Sequence, residues 1–104
     1  MTVRSYDNQE PVIHESVWLD PSAFVAGKVT LSEDVSVWPM AVIRGDVNTI
    51  SVGSKTNIQD GTVVHVSSSG YYTVIGNNVT IGHNAIIHGC IVNDYVLIGM
   101  GATI

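Results

Sequence analysis

The chain has 104 residues, with four Lys and Arg against nine Asp and Glu and a formal net charge of −5. That length holds one domain, and the acidic balance excludes a basic surface for nucleic acid or for anionic membrane. The single cysteine, Cys90, excludes an intramolecular disulfide framework and a four-cysteine zinc knuckle, and no apolar run approaches a membrane span.

Residues 1–16 read as a lead-in without the apolar core of a signal peptide, so a cytoplasmic chain is expected. About residues 17–104 form the rest of one domain, residues 1–104, and are rich in β-branched residues: 17 Val and 11 Ile against 3 Leu. Such side chains suit pleated strands and lose freedom in a helix. Along the chain Val25, Leu31, Val37 and Ile43 fall six apart. So do Val52, Ile58 and Val64, then Ile75, Ile81 and Ile87, then Ile98 and Ile104. A second small or apolar residue follows four positions later, as at Val29, Val35, Ala41 and Val47, at Thr56 and Thr62, and at Val79, Ala85 and Ile91. A helix cannot keep a period of six on one face. The spacing predicts an all-β parallel β-helix of hexapeptides, three to a triangular coil of about 18 residues, with coils about 4.8 Å apart.

Gly53, Gly76, Gly82 and Gly99 follow aliphatic positions. They and the pairs Asn77-Asn78 and Asn93-Asp94 suit corners of positive φ. The register slips three times: three extra residues near Asp46 to Ile50, five in the segment VSSSGYYT (Val66 to Thr73), and one missing near Val92-Asn93. Insertions in a solenoid leave as loops and often border a binding site. The chain stops at Ile104 on an inward-facing repeat position. A solenoid end exposes apolar core and strand edges, so a longer parent protein or a covering second copy is expected.

Four histidines are sorted by this lattice. His14 falls in the lead-in and reads as a surface residue. His65 follows the inward Val64, and His88 follows the inward Ile87, one coil later once the insertion is discounted. They are expected in one slot on one outer face, about a strand spacing apart, where both could reach a single metal ion. His83 lies on the preceding side of the prism. A neighbouring prism related by a threefold axis could supply it, giving a trimer with a metal at each interface and an open fourth position. Cys90 reads as a small apolar residue packed in a coil.

The segments RGDV (Arg44 to Val47), TNIQDGTVVHV (Thr56 to Val66) and TIGHNAIIHGC (Thr80 to Cys90) resemble the γ-class carbonic anhydrases and their bacterial homologues, from about Pro11 to Ile104. The resemblance implies a left-handed β-helix, here ending before the family's C-terminal helix. It implies a homotrimer holding Zn2+ (or Fe2+ or Co2+) between subunits, where a metal-bound hydroxide converts CO2 to bicarbonate. His65 and His88 then match ligands of one subunit and His83 the ligand given to its neighbour. Arg44 and Asp46 match a charged pair that joins subunits, and Asn57, Gln59 and Asp60 match polar residues of the catalytic pocket. Gln59 carries both a donor and an acceptor to orient an oxygen species. Asp60 could hold a ligand histidine or pair with Arg44. Val63, Val64 and Ile87 could supply an apolar wall for the gas.

The prototype's glutamates beside the site have no counterpart: no Glu follows Glu33, Val47 follows Asp46, and Ser67, Ser68 and Ser69 follow His65. Tyr71 and Tyr72 are the titratable residues of that loop. Two other readings stay open. One is a hexapeptide acyltransferase or acyl-CoA thioesterase with a histidine as general base. The other is a non-catalytic trimeric scaffold stabilised by metal.

Overall fold

The computed structural model describes residues 1–104 and contains only strands, turns and corners. In chain order the strands are β1 (Thr2–Arg4), β2 (Val12–Ile13), β3 (Trp18–Leu19), β4 (Phe24–Leu31), β5 (Ser36–Val37) and β6 (Val42–Val52). They continue as β7 (Asn57–Ile58), β8 (Val63–His65), β9 (Thr73–Ile75), β10 (Thr80–Ile81), β11 (Ile86–His88), β12 (Ile91–Val92) and β13 (Leu97–Ile98). Every ladder between them is parallel. The solenoid makes about 5 turns and is a left-handed parallel β-helix.

Three inward columns make the core, one per side of the prism. Val25, Ile43, Val64 and Ile87 stack on the first side. Leu31, Val52, Ile75 and Val92 stack on the second, and Leu19, Val37, Ile58, Ile81 and Ile98 on the third. Twenty buried residues form one continuous cluster, so the period of six is the period of the core. β4 and β6 each run round a corner and serve two sides. Residues 1–16 contribute to the prism, since β1 and β2 both pair with β4.

Three expectations need correction. Val47 is 50% exposed, because the ladder passes from Gly27↔Gly45 to Val29↔Ile50 and the residues between Gly45 and Ile50 bulge outward against Lys28. Ile91 is 62% exposed while Val92 is in the core. The missing residue therefore lies between Ile87 and Val92, at the His88–Ile91 corner, and not at Val92-Asn93. Ile104 keeps its expected inward position, over Ile87 beside the Ile86↔Thr103 bridge, and is half exposed as core of the last coil. Of the glycines after aliphatics, Gly53, Gly76 and Gly82 serve close approach rather than positive φ, while Gly99 has open space around it. A Cβ on Gly53 would stand 2.6 Å from the Gly76 backbone, and one on Gly82 would stand 2.8 Å from the Met100 amide. Left-handed corners are taken instead by Asp34, Lys55, Asn78 and Tyr95, and by Met40, Gly61, Asn84 and Gly101.

Three buried threonines staple the coils. Thr56 Oγ1 donates to the Gly76 carbonyl at 2.7 Å and Thr62 Oγ1 to the Gly82 carbonyl at 3.0 Å. Thr73 belongs to the functional site.

Candidate metal centre

The β8–β11 ladder sets His65 directly opposite His88. Their neighbours Val64 and Ile87 are fully buried, so the alternation of a strand turns both imidazoles outward. The rings meet edge to face with centroids 5.2 Å apart. The expected shared slot is thus what the register produces.

Each ring is held by a residue from an insertion. Asp46, in the outward bulge of β6, lies with Oδ1 2.9 Å from His65 Nε2 and accepts from Arg44 Nη1 through Oδ2 at 2.5 Å. The Val47 amide also donates to Asp46 at 2.7 Å. Burial works to raise the Asp46 carboxyl, but the Val47 amide, His65 and Arg44 together hold it below the usual carboxylate range. Ser67 opens the second insertion, with Oγ 2.8 Å from His88 Nε2. Asn48 Nδ2 donates to the Ser67 carbonyl at 3.2 Å and joins the two insertions.

Beneath the pair, buried Thr73 Oγ1 donates to the His65 carbonyl and accepts the Gly89 amide, both at 2.8 Å. One hydroxyl therefore fixes the backbone next to both histidines. Thr73→Val keeps the shape and removes both bonds, leaving the Gly89 amide and the His65 carbonyl only their own longer bond of 3.2 Å. Losing two such bonds costs about 1–3 kcal/mol at about 0.5–1.5 kcal/mol each, and a urea titration should show it.

The remaining candidates lie on another side of the prism. His83 follows β10, and its Nδ1 is 3.1 Å from Asp60 Oδ1. Gln59 Nε2 donates to Asn57 Oδ1 at 3.0 Å, and Asn57 Nδ2 donates to Thr80 Oγ1 at 3.2 Å. With Ser36 and Trp38 these residues line an open groove. No group of three or more His, Cys, Asp or Glu side chains converges within the chain. The structure thus brings Arg44, Asp46, His65 and His88 together on one side, and Asn57, Gln59, Asp60 and His83 on another.

Arg44 and Asp46 pair within the chain. Asp60 contacts a candidate ligand histidine, His83, which is one of its two expected roles. Val64 and Ile87 are sealed in the core and cannot wall a pocket, whereas Val63 and Ile86 stand on the outer face. Tyr71 and Tyr72 are exposed. Cys90 packs against the core, and burial pushes its thiol up. His14 is exposed, with Nδ1 2.8 Å from Ser16 Oγ. Sequence reasoning missed the contacts of Ser67, Thr73 and Trp38. Only the position of Ser67, two residues after His65 at the start of an insertion, hinted at its place.

The donor set fits a divalent ion of borderline softness: imidazoles on adjacent rungs, with a carboxylate and a hydroxyl behind them. The profile described as bacterial transferase hexapeptide (six repeats) matches residues 72–104. A solved hexapeptide transferase family protein from Anaplasma phagocytophilum superposes with a TM-score of 0.87 at 30% identity, over 99% of this chain and 70% of that one. Gamma carbonic anhydrase 1, mitochondrial, of Arabidopsis thaliana is 47% identical over 108 residues, which is 99% of this chain and 39% of the plant protein. The chain belongs to the hexapeptide-repeat, γ-carbonic-anhydrase-like family. Protein YrdA of Escherichia coli (strain K12) is 42% identical over 96% of this chain and 58% of its own length. The γ-carbonic-anhydrase-like chain thus spans between about two fifths and three fifths of these two relatives.

Proposed function

We propose that this chain carries the metal-holding part of an enzyme that interconverts CO2 and bicarbonate as a homotrimer. Its ion would be Zn2+, with Fe2+ or Co2+ as alternatives, held by His65 and His88 of one chain and His83 of the next. The carrying observation is the division of the site: two imidazoles in register on one side, and a third beside an amide pair on another. The match to proteins named gamma carbonic anhydrase supports the substrate class.

A bound divalent ion supplies the Lewis acidity that makes water a nucleophile near neutral pH. The chain's own residues do the rest. Asp46 and Ser67 hold the two rings in orientation, and the carboxylate raises the basicity of the imidazole it touches. Asn57 fixes the Gln59 amide through their hydrogen bond, so that Gln59 can orient an oxygen of bicarbonate. Asp60 holds His83. Val63 and Ile86 give an uncharged gas an apolar wall.

A second reading, acyl transfer or thioester hydrolysis, draws on the hexapeptide transferase profile and the Anaplasma structure. Parallel assays separate the two. Hydration of CO2 by the metal-loaded protein, abolished in His65→Ala, supports the first. Turnover of an acyl-CoA without hydration, surviving a chelator, supports the second.

A further inference from the structure

The two insertions meet where the ladder between coils is interrupted. Pairing of β6 with the next coil ends at Ile43↔Val64 and resumes at Ile50↔Thr73, on β9 rather than β8. Asp46 and Asn48 stand on one edge of this gap, and His65 and Ser67 on the other. Two side-chain contacts cross it. Asp46 Oδ1 meets His65 Nε2 at 2.9 Å, and Asn48 Nδ2 donates to the Ser67 carbonyl at 3.2 Å.

Asn48 is half-buried, and its side-chain amide is held at both ends, since Oδ1 accepts the Thr49 amide at 2.9 Å. A planar amide fixed at its oxygen aims its nitrogen in a set direction. Ser67 is gripped on both sides of its Cα. Its own amide donates to the Tyr71 carbonyl at 3.1 Å, which closes a turn, and its carbonyl takes the Asn48 bond. Fixing both peptide groups fixes the Cα–Cβ direction, and Oγ stands 2.8 Å from His88 Nε2. Buried Val66 anchors the chain one residue earlier. The turn rests on Gly89, where an added Cβ would lie 3.2 Å from Tyr71 Cβ. The Asn48 bond ties this turn to the bulge that carries Asp46.

We propose that Asn48 is a positioning residue of the metal centre, acting on His88 through Ser67. One bulge then sets both imidazoles: Asp46 holds that of His65 directly, and Asn48 holds that of His88 through the serine. The inference rests on the metal reading above and adds a residue that bonds to neither imidazole. Partners behind metal ligands tune affinity by fixing ring orientation, and Asn48 stands one bond further back. Its effect must therefore pass through the Ser67 hydroxyl and vanish when that hydroxyl is gone.

A double-mutant cycle tests this. Zn2+ affinity, by competition with a chromogenic chelator, is measured for the parent, Asn48→Ala, Ser67→Ala and the double variant. A cooperative thermal melt confirms that each folds; Asn48→Ser, too short to reach the Ser67 carbonyl, serves where Asn48→Ala does not. Each single change is expected to weaken Zn2+ binding about tenfold. The double variant should stay within about twofold of Ser67→Ala alone, because the two act in series. A double variant that loses the product of the two effects, or an Asn48→Ala that keeps the parent affinity, would overturn the proposal. The second readout needs no metal. In the metal-free protein the imidazole NMR signals of His88 should move in Asn48→Ala as they do in Ser67→Ala, and further than those of His65. A His88 signal that stays put, or equal movement of both rings, would mean that Asn48 only stiffens the bulge, and would overturn it. If the parent takes up no Zn2+ yet the His88 signal moves in this way, the metal reading fails and the link from Asn48 through Ser67 to His88 stands.

Discussion

His83→Ala is expected to lose bound Zn2+ as completely as His65→Ala, although His83 stands on a different side of its own prism. Within one chain His65 and His88 are already in register, so a two-histidine site would be indifferent to His83. In a site shared between chains, His83 is one ligand of three, and removing it leaves an ion with two imidazoles in both cases. Metal per chain after dialysis, by inductively coupled plasma analysis, checks this. Mixing carries the test further. A trimer containing both His83→Ala and His88→Ala chains has interfaces where the intact His65–His88 pair of one meets the intact His83 of the other. Such mixtures should regain part of the metal that neither variant holds alone, and a mixture that regains none contradicts the shared site.

The largest effect on folding is expected from Gly27→Ala. Gly27 has φ +78°, and a Cβ there would overlap the Gly45 carbonyl and lie 3.2 Å from Tyr6 Cβ. A left-handed conformation costs an L-residue about 1–2 kcal/mol, and a forced overlap in a packed interior costs about 1–3 more. The obstacle is backbone of the next coil, so it can yield only if the coils part. Gly70→Ala is the control: φ is +93°, but nothing lies within 4 Å of the added atom, so only the conformational cost applies. The urea midpoint should fall much further for Gly27→Ala. Metal uptake should weaken with it, because the Gly27–Gly45 contact is where β6 leaves register to present Asp46.

The prism was legible because its inward columns tolerate only β-branched and similar apolar residues. Leu31, Val52 and Ile75, for example, keep one column through an insertion of three residues and another of five. The lattice by itself also puts His65 and His88 in one slot. It failed where adjacent residues are equally apolar. Ile91 and Val92 both suit a strand, and only the ladder to Val74 and Ile75 decides which of them faces inward. Tyr95 at a left-handed corner was not legible either, since composition favours the Asn93-Asp94 pair just before it. Asp46 was visible as a charged partner of Arg44, but its bond to His65 depends on how far the β6 bulge turns outward. Ser67 lies where the repeat is interrupted, so periodicity says nothing about its direction.

Zn2+ uptake by the unmodified chain, followed together with its mass by analytical ultracentrifugation, tests the shared site most directly. The expected outcome is a trimer that takes up one ion per chain, with dilution to monomer releasing the metal. A monomer that binds its ion just as tightly, or a trimer that binds none, would contradict it.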